Sequence, residues 1–392
     1  MIVAIDTNAI LPGQVGGIES YTLGLIEALK LPASPASRVV LVTRPENHEL
    51  FSRYVDEKTQ AVLLERAAKK WGELTAGERE DLARRKVKLL HECGAEVVHF
   101  PGNTINPIDV DLPAVLNLHD LQHRHFPQYF SAEEIANREK WWVASARRAD
   151  ALIAASNFVR EDLHAKLGIE REKIFVTPDP FQAAFFKTPK REKLEELRER
   201  FSLPEMFFIY PAAAWPHKNH ARLIEAFAEA AIGGCQLILT GGGQAESPLP
   251  SLIAGRGLDG SVRLLGRVST EDLIGLYHLA TAMIFPSQHE SWSIPVMEAM
   301  ACGCPVACSN VTSLPEEVGD AGLLFEADDV RGMTAIICRL AGDSGLRRAL
   351  AEKGRERVRG FGMDEFVEVL GVVYGKCARG GVGRVPHRGD ST

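Results

Sequence analysis

The chain has 392 residues, 45% hydrophobic and 25% charged, with a formal net charge of −7. At about 150 residues per domain that suffices for two or three cores. The acidic balance without a basic stripe argues against nucleic acid as a partner, and the lack of any apolar run of about 18 residues argues against a membrane span.

Residues 2–5 form an apolar run with no basic segment ahead of it, which does not resemble a secretory leader and points to the cytoplasm. From there, strand-length apolar runs alternate with helical spacing, the pattern of parallel sheets with crossover helices. Strands are expected at 2–5, 39–42, 95–100, 114–118 and 151–154, with a helix at 20–29. The charged stretch 46–91 carries helical spacing and reads as two or three helices. The charged run 190–201 belongs to a boundary region. A second series follows, with strands at 207–210, 236–239, 262–265, 282–285 and 305–307. Its helices are expected from 219, at 270–279, and from 329 to 374. Residues 378–392 are rich in Gly and Arg with little to bury, and disorder is expected there. The expected organisation is α/β, with one domain at 1–188, another at 189–377, and the tail. Seven cysteines are scattered, and Cys302, Cys304 and Cys308 cluster without a second ligand pair at zinc spacing. They read as packing residues, and no metal is expected.

The densest chemical signal is residues 285–303. Glu290 lies on the loop leaving an expected strand, and Pro295 suits the first position of a helix whose first turn carries Glu298. Ligands bind at the carboxyl ends of strands in open α/β sheets, and free N–H groups at a helix start attract phosphate. The stretch therefore offers a phosphate seat flanked by two acceptors for hydroxyl groups, which is what a nucleotide-sugar requires. Taken singly, Glu298 would only complement a helix dipole and Glu290 would be a solvated loop charge.

Four other places carry candidate residues near strand ends. Gly16 and Gly17 lie between the first strand and first helix, where missing side chains let backbone approach a ligand. His119 and Asp120 follow the strand at 114–118. Lys218 precedes a helix start, where a cation opposes the dipole and so calls for an anionic partner. Arg267 and Val268 follow the strand at 262–265. His123 and His125 share a loop but lack a carboxylate or cysteine at ligand spacing. His99, at another strand end, reads as structural or acceptor-side.

The run from Glu290 to Glu298, continued by Ala299-Met300-Ala301-Cys302-Gly303-Cys304-Pro305-Val306 and Ser313-Leu314-Pro315-Glu316, resembles the Glu-x7-Glu signature of retaining glycosyltransferases of family 4. The resemblance covers most of the chain and is strongest from Tyr210 to Leu324. It implies the GT-B fold, two Rossmann-like doubly wound domains facing across a cleft. It also implies that Glu290 contacts the donor sugar, that Glu298 holds the ribose hydroxyls, and that the backbone of Ser293, Ile294 and Val296 meets the diphosphate. Gly16 and Gly17 match the family's glycine loop, His119 with Asp120 its His-Asp pair near the transferred sugar, and Lys218 its phosphate-directed lysine. Arg267 and Val268 match the turn that holds the base. One position departs. Relatives carry an arginine five residues before the lysine, where this chain has Ala213, and Arg267 is a candidate to compensate.

The resemblance implies a retaining, metal-independent hexosyltransferase without a bound cofactor, using a nucleoside diphosphate sugar and a saccharide or lipid-linked acceptor. The Trp-Pro-His-Lys-Asn stretch looks like that of polysaccharide mannosyltransferases, so mannose from GDP-mannose is expected. Trp141 and Trp142 with Arg147 and Arg148 make a helix that could rest on the inner face of a membrane. A non-catalytic sugar-nucleotide-binding subunit and a sugar-nucleotide epimerase are the rival readings.

Overall fold

The computed structural model describes residues 1–12, 17–65 and 73–379. It divides into two compact units, Met1–Pro180 with Met363–Thr392, and Phe181–Gly362. The first unit holds seven parallel strands: β1 (Ile2–Asp6), β2 (Arg38–Thr43), β3 (Thr59–Leu63), β4 (Val97–Phe100), β5 (Ala114–Asn117), β6 (Ala151–Ala154) and β7 (Ile174–Val176). Their order across the sheet is β3-β2-β1-β4-β5-β6-β7. The chain thus winds outward from β1 in one direction and then, from β4, in the other. That reversal leaves a crevice beside the carboxyl ends of β1 and β4.

The central strands are buried along their length, as expected of a parallel sheet covered on both faces. Alternation divides them between two cores. Ala4, Val40, Val98 and Leu116 point to one face, under the helices Ala76–Glu92 and Ala132–Arg148. Val3, Ile5, Leu41 and Val115 point to the other, against Tyr21, Leu25 and Leu29 of the helix Gly17–Lys30. Thr75 and Ser131 start their helices with capping boxes.

The second unit repeats the plan with β8 (Met206–Pro211), β9 (Cys235–Thr240), β10 (Val262–Gly266), β11 (Ala282–Phe285), β12 (Val306–Ser309) and β13 (Gly322–Phe325), in the order β10-β9-β8-β11-β12-β13. Its switch point lies between β8 and β11. Cys302, Cys304 and Cys308 are buried in it, and burial raises all three thiol pKa values, that of Cys302 to about 12.

Three features differ from the sequence expectation. β3 lies inside the charged stretch read as helical, and β7 and β13 were not expected. All three are short, and β3 and β7 close the two edges of the first sheet, where one side of the strand has no partner and the apolar signal is weak. The boundary falls after Pro180 rather than at 188/189. The last helix, Met363–Ala378, expected with the second domain, packs on the first sheet through Phe366, Val367, Leu370 and Tyr374. The Tyr374 hydroxyl lies 2.6 Å from His99 Nδ1. The disorder expected for 378–392 concerns residues that, from 380 on, lie outside the described ones, and Ala378 ends the helix.

Candidate functional site

In the second unit, β11 delivers the chain into the loop 286–293 and the helix Ile294–Cys302, with Pro at the first turn as expected. β8 delivers it into residues 212–219 and then the helix His220–Ala230. These two loops flank the switch point, and the structure joins them. Gln288 N–H donates to the His217 carbonyl at 2.8 Å, and Asn219, held at φ 59°, donates through Nδ2 to the carbonyls of Pro286 (3.0 Å) and Ala327 (2.8 Å). The Tyr210 hydroxyl donates to the Lys218 carbonyl at 2.7 Å.

Lys218 and Glu290, 72 residues apart in sequence, meet here. Lys218 Nζ lies 2.6 Å from Glu290 Oε1, with side chains 15% and 10% exposed. The anionic partner that the placement of Lys218 called for is therefore, in the free protein, a carboxylate of the same site. Burial, with Lys218 and His289 nearby, holds His217 down at about 3, so its ring is neutral. Glu290 is fixed through its backbone: its N–H donates to Thr312 Oγ1 (3.0 Å) and its carbonyl accepts from Ser313 Oγ (3.1 Å).

Glu298 lies one helical turn on, with Oε2 3.4 Å from the Tyr277 hydroxyl. Burial pushes its carboxyl up to about 8, so it is largely protonated near neutral pH. The helix start differs from the open row of donors expected of it. Ser293 N–H donates to Glu317 Oε1 at 3.0 Å, Val296 N–H turns back to the Ser293 carbonyl at 3.0 Å, and Pro295 has no N–H. That leaves the Ile294 N–H as the donor these contacts do not engage. The reason is burial: donors in a dry helix start must find partners within the protein.

Glu317 was not singled out in the sequence. It is fully buried, its Oε1 also accepts from Ser313 Oγ at 2.6 Å, and burial pushes its carboxyl up to about 8. Arg357 donates to the carbonyls of Glu316 and Glu317 and so anchors this support from below. Acidic residues in a first turn are ordinary, so no local pattern marks Glu317 as the one buried under the site.

Ala213 and Arg267 belong to the same corner. Gly241, at φ 130°, passes so close to β8's exit that a Cβ there would fall 2.4 Å from the Ala212 carbonyl oxygen. At Gly242 a Cβ would lie 3.0 Å from Arg267 Nε, and the Gly242 carbonyl accepts from Ala214 N–H at 3.1 Å. Arg267, exposed, thus lies over the turn that abuts the loop carrying Ala213. Val268 follows it on the same strand exit.

The first-unit candidates lie at strand ends of their own sheet. Gly16 is outside the described residues, and Gly17 begins the first helix with open space where a Cβ would be. His119 is held by its backbone N–H to Asn103 Oδ1 (2.9 Å) and by Nε2 to the Pro101 carbonyl (2.8 Å). That bond makes Nε2 the protonated nitrogen. Asp179, also missed in the sequence, is a buried carboxyl raised to about 6 by burial and drawn back by His119. Asp120 accepts from Gln122 N–H at 2.9 Å, which is a turn-capping role. His99 is enclosed between Tyr374 and Asn117 and lowered to about 4 by burial, the structural option of the two expected. His123 pairs with Glu139 at 3.0 Å and His125 with Asp162 at 2.9 Å.

Comparisons with known proteins agree with this geometry. The family model described as Glycosyltransferase Family 4 matches residues 15–182, and the one described as Glycosyl transferases group 1 matches residues 194–357. The chain is 30% identical over 282 residues to the O-antigen chain mannosyltransferase B of Escherichia coli, covering 71% of this chain and 74% of that one. To the serotype-specific mannosyltransferase WbdA of Escherichia coli it is 29% identical over 215 residues, 53% of this chain and 26% of that one. Among solved structures, Anabaena HepE in complex with UDP and glucose superposes with a TM-score of 0.76 at 20% identity, covering 96% of this chain and 100% of that one, a likeness of GT-B fold. With both halves matched in order and a mannosyltransferase relative spanning most of its length, the chain belongs to glycosyltransferase family 4.

Proposed function

We propose that the chain is a retaining hexosyltransferase that takes mannose from GDP-mannose and passes it to a hydroxyl of a saccharide or lipid-linked acceptor. The observation that carries this reading is the convergence of Lys218, Glu290 and the Ser293–Val296 turn at one switch point. Glu298 accepts from the ribose hydroxyls, and the base lies against Arg267 and Val268. Lys218 exchanges part of its contact with Glu290 for the donor phosphates, which frees Glu290 to orient the sugar. His119, with Asp120 and Gly17, retains the contact to donor and transferred sugar that the resemblance implies.

Transfer breaks the bond between the sugar's anomeric carbon and the β-phosphate oxygen and forms one to the acceptor oxygen on the same face. The acceptor proton passes to the departing phosphate. Negative charge grows on the nucleoside diphosphate, and Lys218 and the Ile294 N–H are placed to stabilise it, a role that does not call for a metal. Glu290 acts by orientation, not as a base. The mannosyltransferase relatives support the choice of sugar.

A thermal-shift panel of UDP-, GDP-, ADP- and dTDP-sugars tests the donor, because a ligand stabilises the state that binds it. GDP-mannose is expected to give the largest rise and to release GDP on turnover. Glu298→Ala removes the hydrogen bonds of a neutral carboxyl to the two ribose hydroxyls and is expected to weaken nucleotide binding about 10-fold. Tight binding with no turnover of any donor would favour the non-catalytic subunit.

A further inference from the structure

A cavity of about 400 Å³ opens in the first unit at the carboxyl ends of β1 and β4, its own switch point. Asp6 and Asn8 enter it from β1, Phe100 and Thr104 from β4, and Arg138 and Trp141 from the helix Ala132–Arg148. Its charged groups are unequally engaged. Asp6 is matched by Lys86 at 2.7 Å, and the same ammonium donates to the Asn106 carbonyl at 2.8 Å. Arg138 is different. Its guanidinium carbon lies 4.1 Å from the centre of the Phe130 ring and 4.7 Å from that of Trp142. Among the described residues it meets no carboxylate at ion-pair distance and donates no hydrogen bond.

Two aromatic rings thus flank a half-buried guanidinium whose N–H groups, among the described residues, donate no hydrogen bond. Burial lowers its pKa, the mark of a cation stripped of part of its water. A planar fork of this kind matches phosphate oxygens two at a time. Beside it Trp141, 46% exposed, carries the Lys140 ammonium 4.8 Å from its ring centre and has its other indole face for a sugar ring. On the same helix Trp142 packs on the core, and Arg148 is tied to Asp150 and the Val110 carbonyl, while Trp141 stays exposed.

We propose that this cavity is the acceptor site and that it takes a phosphate-bearing saccharide, the phosphate on Arg138 and the sugar ring against Trp141. The assignment rests on the glycosyltransferase reading above. Phosphate could come from a soluble sugar phosphate or from a sugar joined through diphosphate to a lipid.

Calorimetric titration of the full chain, with GDP present, tests it using methyl α-mannoside, mannose 1-phosphate and decyl-diphospho-mannose. The phosphorylated probes are expected to bind at least about tenfold tighter than the methyl glycoside. Arg138→Gln should remove that preference while leaving GDP affinity unchanged, with at most a few degrees lost in melting temperature. Arg138→Lys, which keeps the charge but loses the planar fork, should retain only part of it. A further gain with the decyl probe supports the lipid-linked source, and equal binding of the two phosphorylated probes supports the soluble one. Equal binding of phosphorylated and neutral probes, or a preference that survives in Arg138→Gln, would overturn the proposal. Failure of every nucleotide to bind would instead sink the glycosyltransferase reading, with the phosphate preference still measurable.

Discussion

Each unit carries a lysine–carboxylate pair beside its switch point, and the two pairs have nearly the same length but different surroundings. Lys86 and Asp6 are 5% and 7% exposed, and each has further partners: Lys86 the Asn106 carbonyl, Asp6 the N–H and Nδ2 of Asn8. Lys218 and Glu290 are 15% and 10% exposed, and the carboxylate is the hydrogen-bond partner the ammonium has. The first pair is saturated and holds its loops together. The second keeps donor capacity in reserve, as a group meant to receive a ligand must. One strand order thus serves both ends, and loop chemistry decides whether the lysine beside the switch point holds loops together or stays ready to meet a ligand.

Removing each lysine separates the two roles. Lys218→Ala is expected to lower turnover by about 10²-fold or more, read as nucleotide release, because a cation facing the leaving group is lost. Its stability cost should be smaller than that of Lys86→Ala, since the Lys218–Glu290 pair is the more exposed of the two. Lys86→Ala should do the reverse to the fold, costing about 3 kcal/mol in urea unfolding by leaving Asp6 buried without its counter-ion. Equal stability losses in the two variants would erase the contrast.

A smaller effect sharpens it. Glu317 supports the second site as a neutral acid, with a folded pKa near 8 against an ordinary carboxyl near 4.3. Between those values the folded state holds a proton that the unfolded chain has lost. The stabilisation is complete below the unfolded pKa and disappears as pH rises through the folded one. The contribution of Glu317 to stability should therefore fall from pH 5 to pH 8.5, that of Glu298 having the same sign, while the buried neutral His99 and His217 act oppositely below about pH 6.5. Glu317→Gln, which cannot ionise, should fall less steeply, by up to about 1.4 kcal/mol per pH unit within the window. Parallel slopes in urea titrations of the two proteins would contradict the assignment.

The second site was largely legible in the sequence because it is local. An apolar run, a polar loop and Pro at a helix start place Glu290 and Glu298 within nine positions of each other. What escaped was tertiary. The pairing of Lys218 with Glu290 joins residues 72 apart, and the burial of Glu317 depends on Ser293, 24 residues earlier. The helix Met363–Ala378 has an apolar face that any sheet could cover, and nothing in its spacing says that the first sheet does. β3 hides in a charged stretch because an edge strand need bury only part of its surface. The aromatic clamp on Arg138 combines a residue from its own helix, Trp142, with Phe130 from the loop before it.

The central claim is that the turn between Glu290 and Glu298 holds a nucleoside diphosphate. A crystal structure of the chain with GDP bound tests it most directly. The account predicts ribose hydroxyls within hydrogen-bond distance of Glu298, and a terminal phosphate between Lys218 Nζ and the Ile294 N–H, with the ammonium drawn from Glu290. A nucleotide seated elsewhere, with the Lys218–Glu290 pair undisturbed, would contradict it.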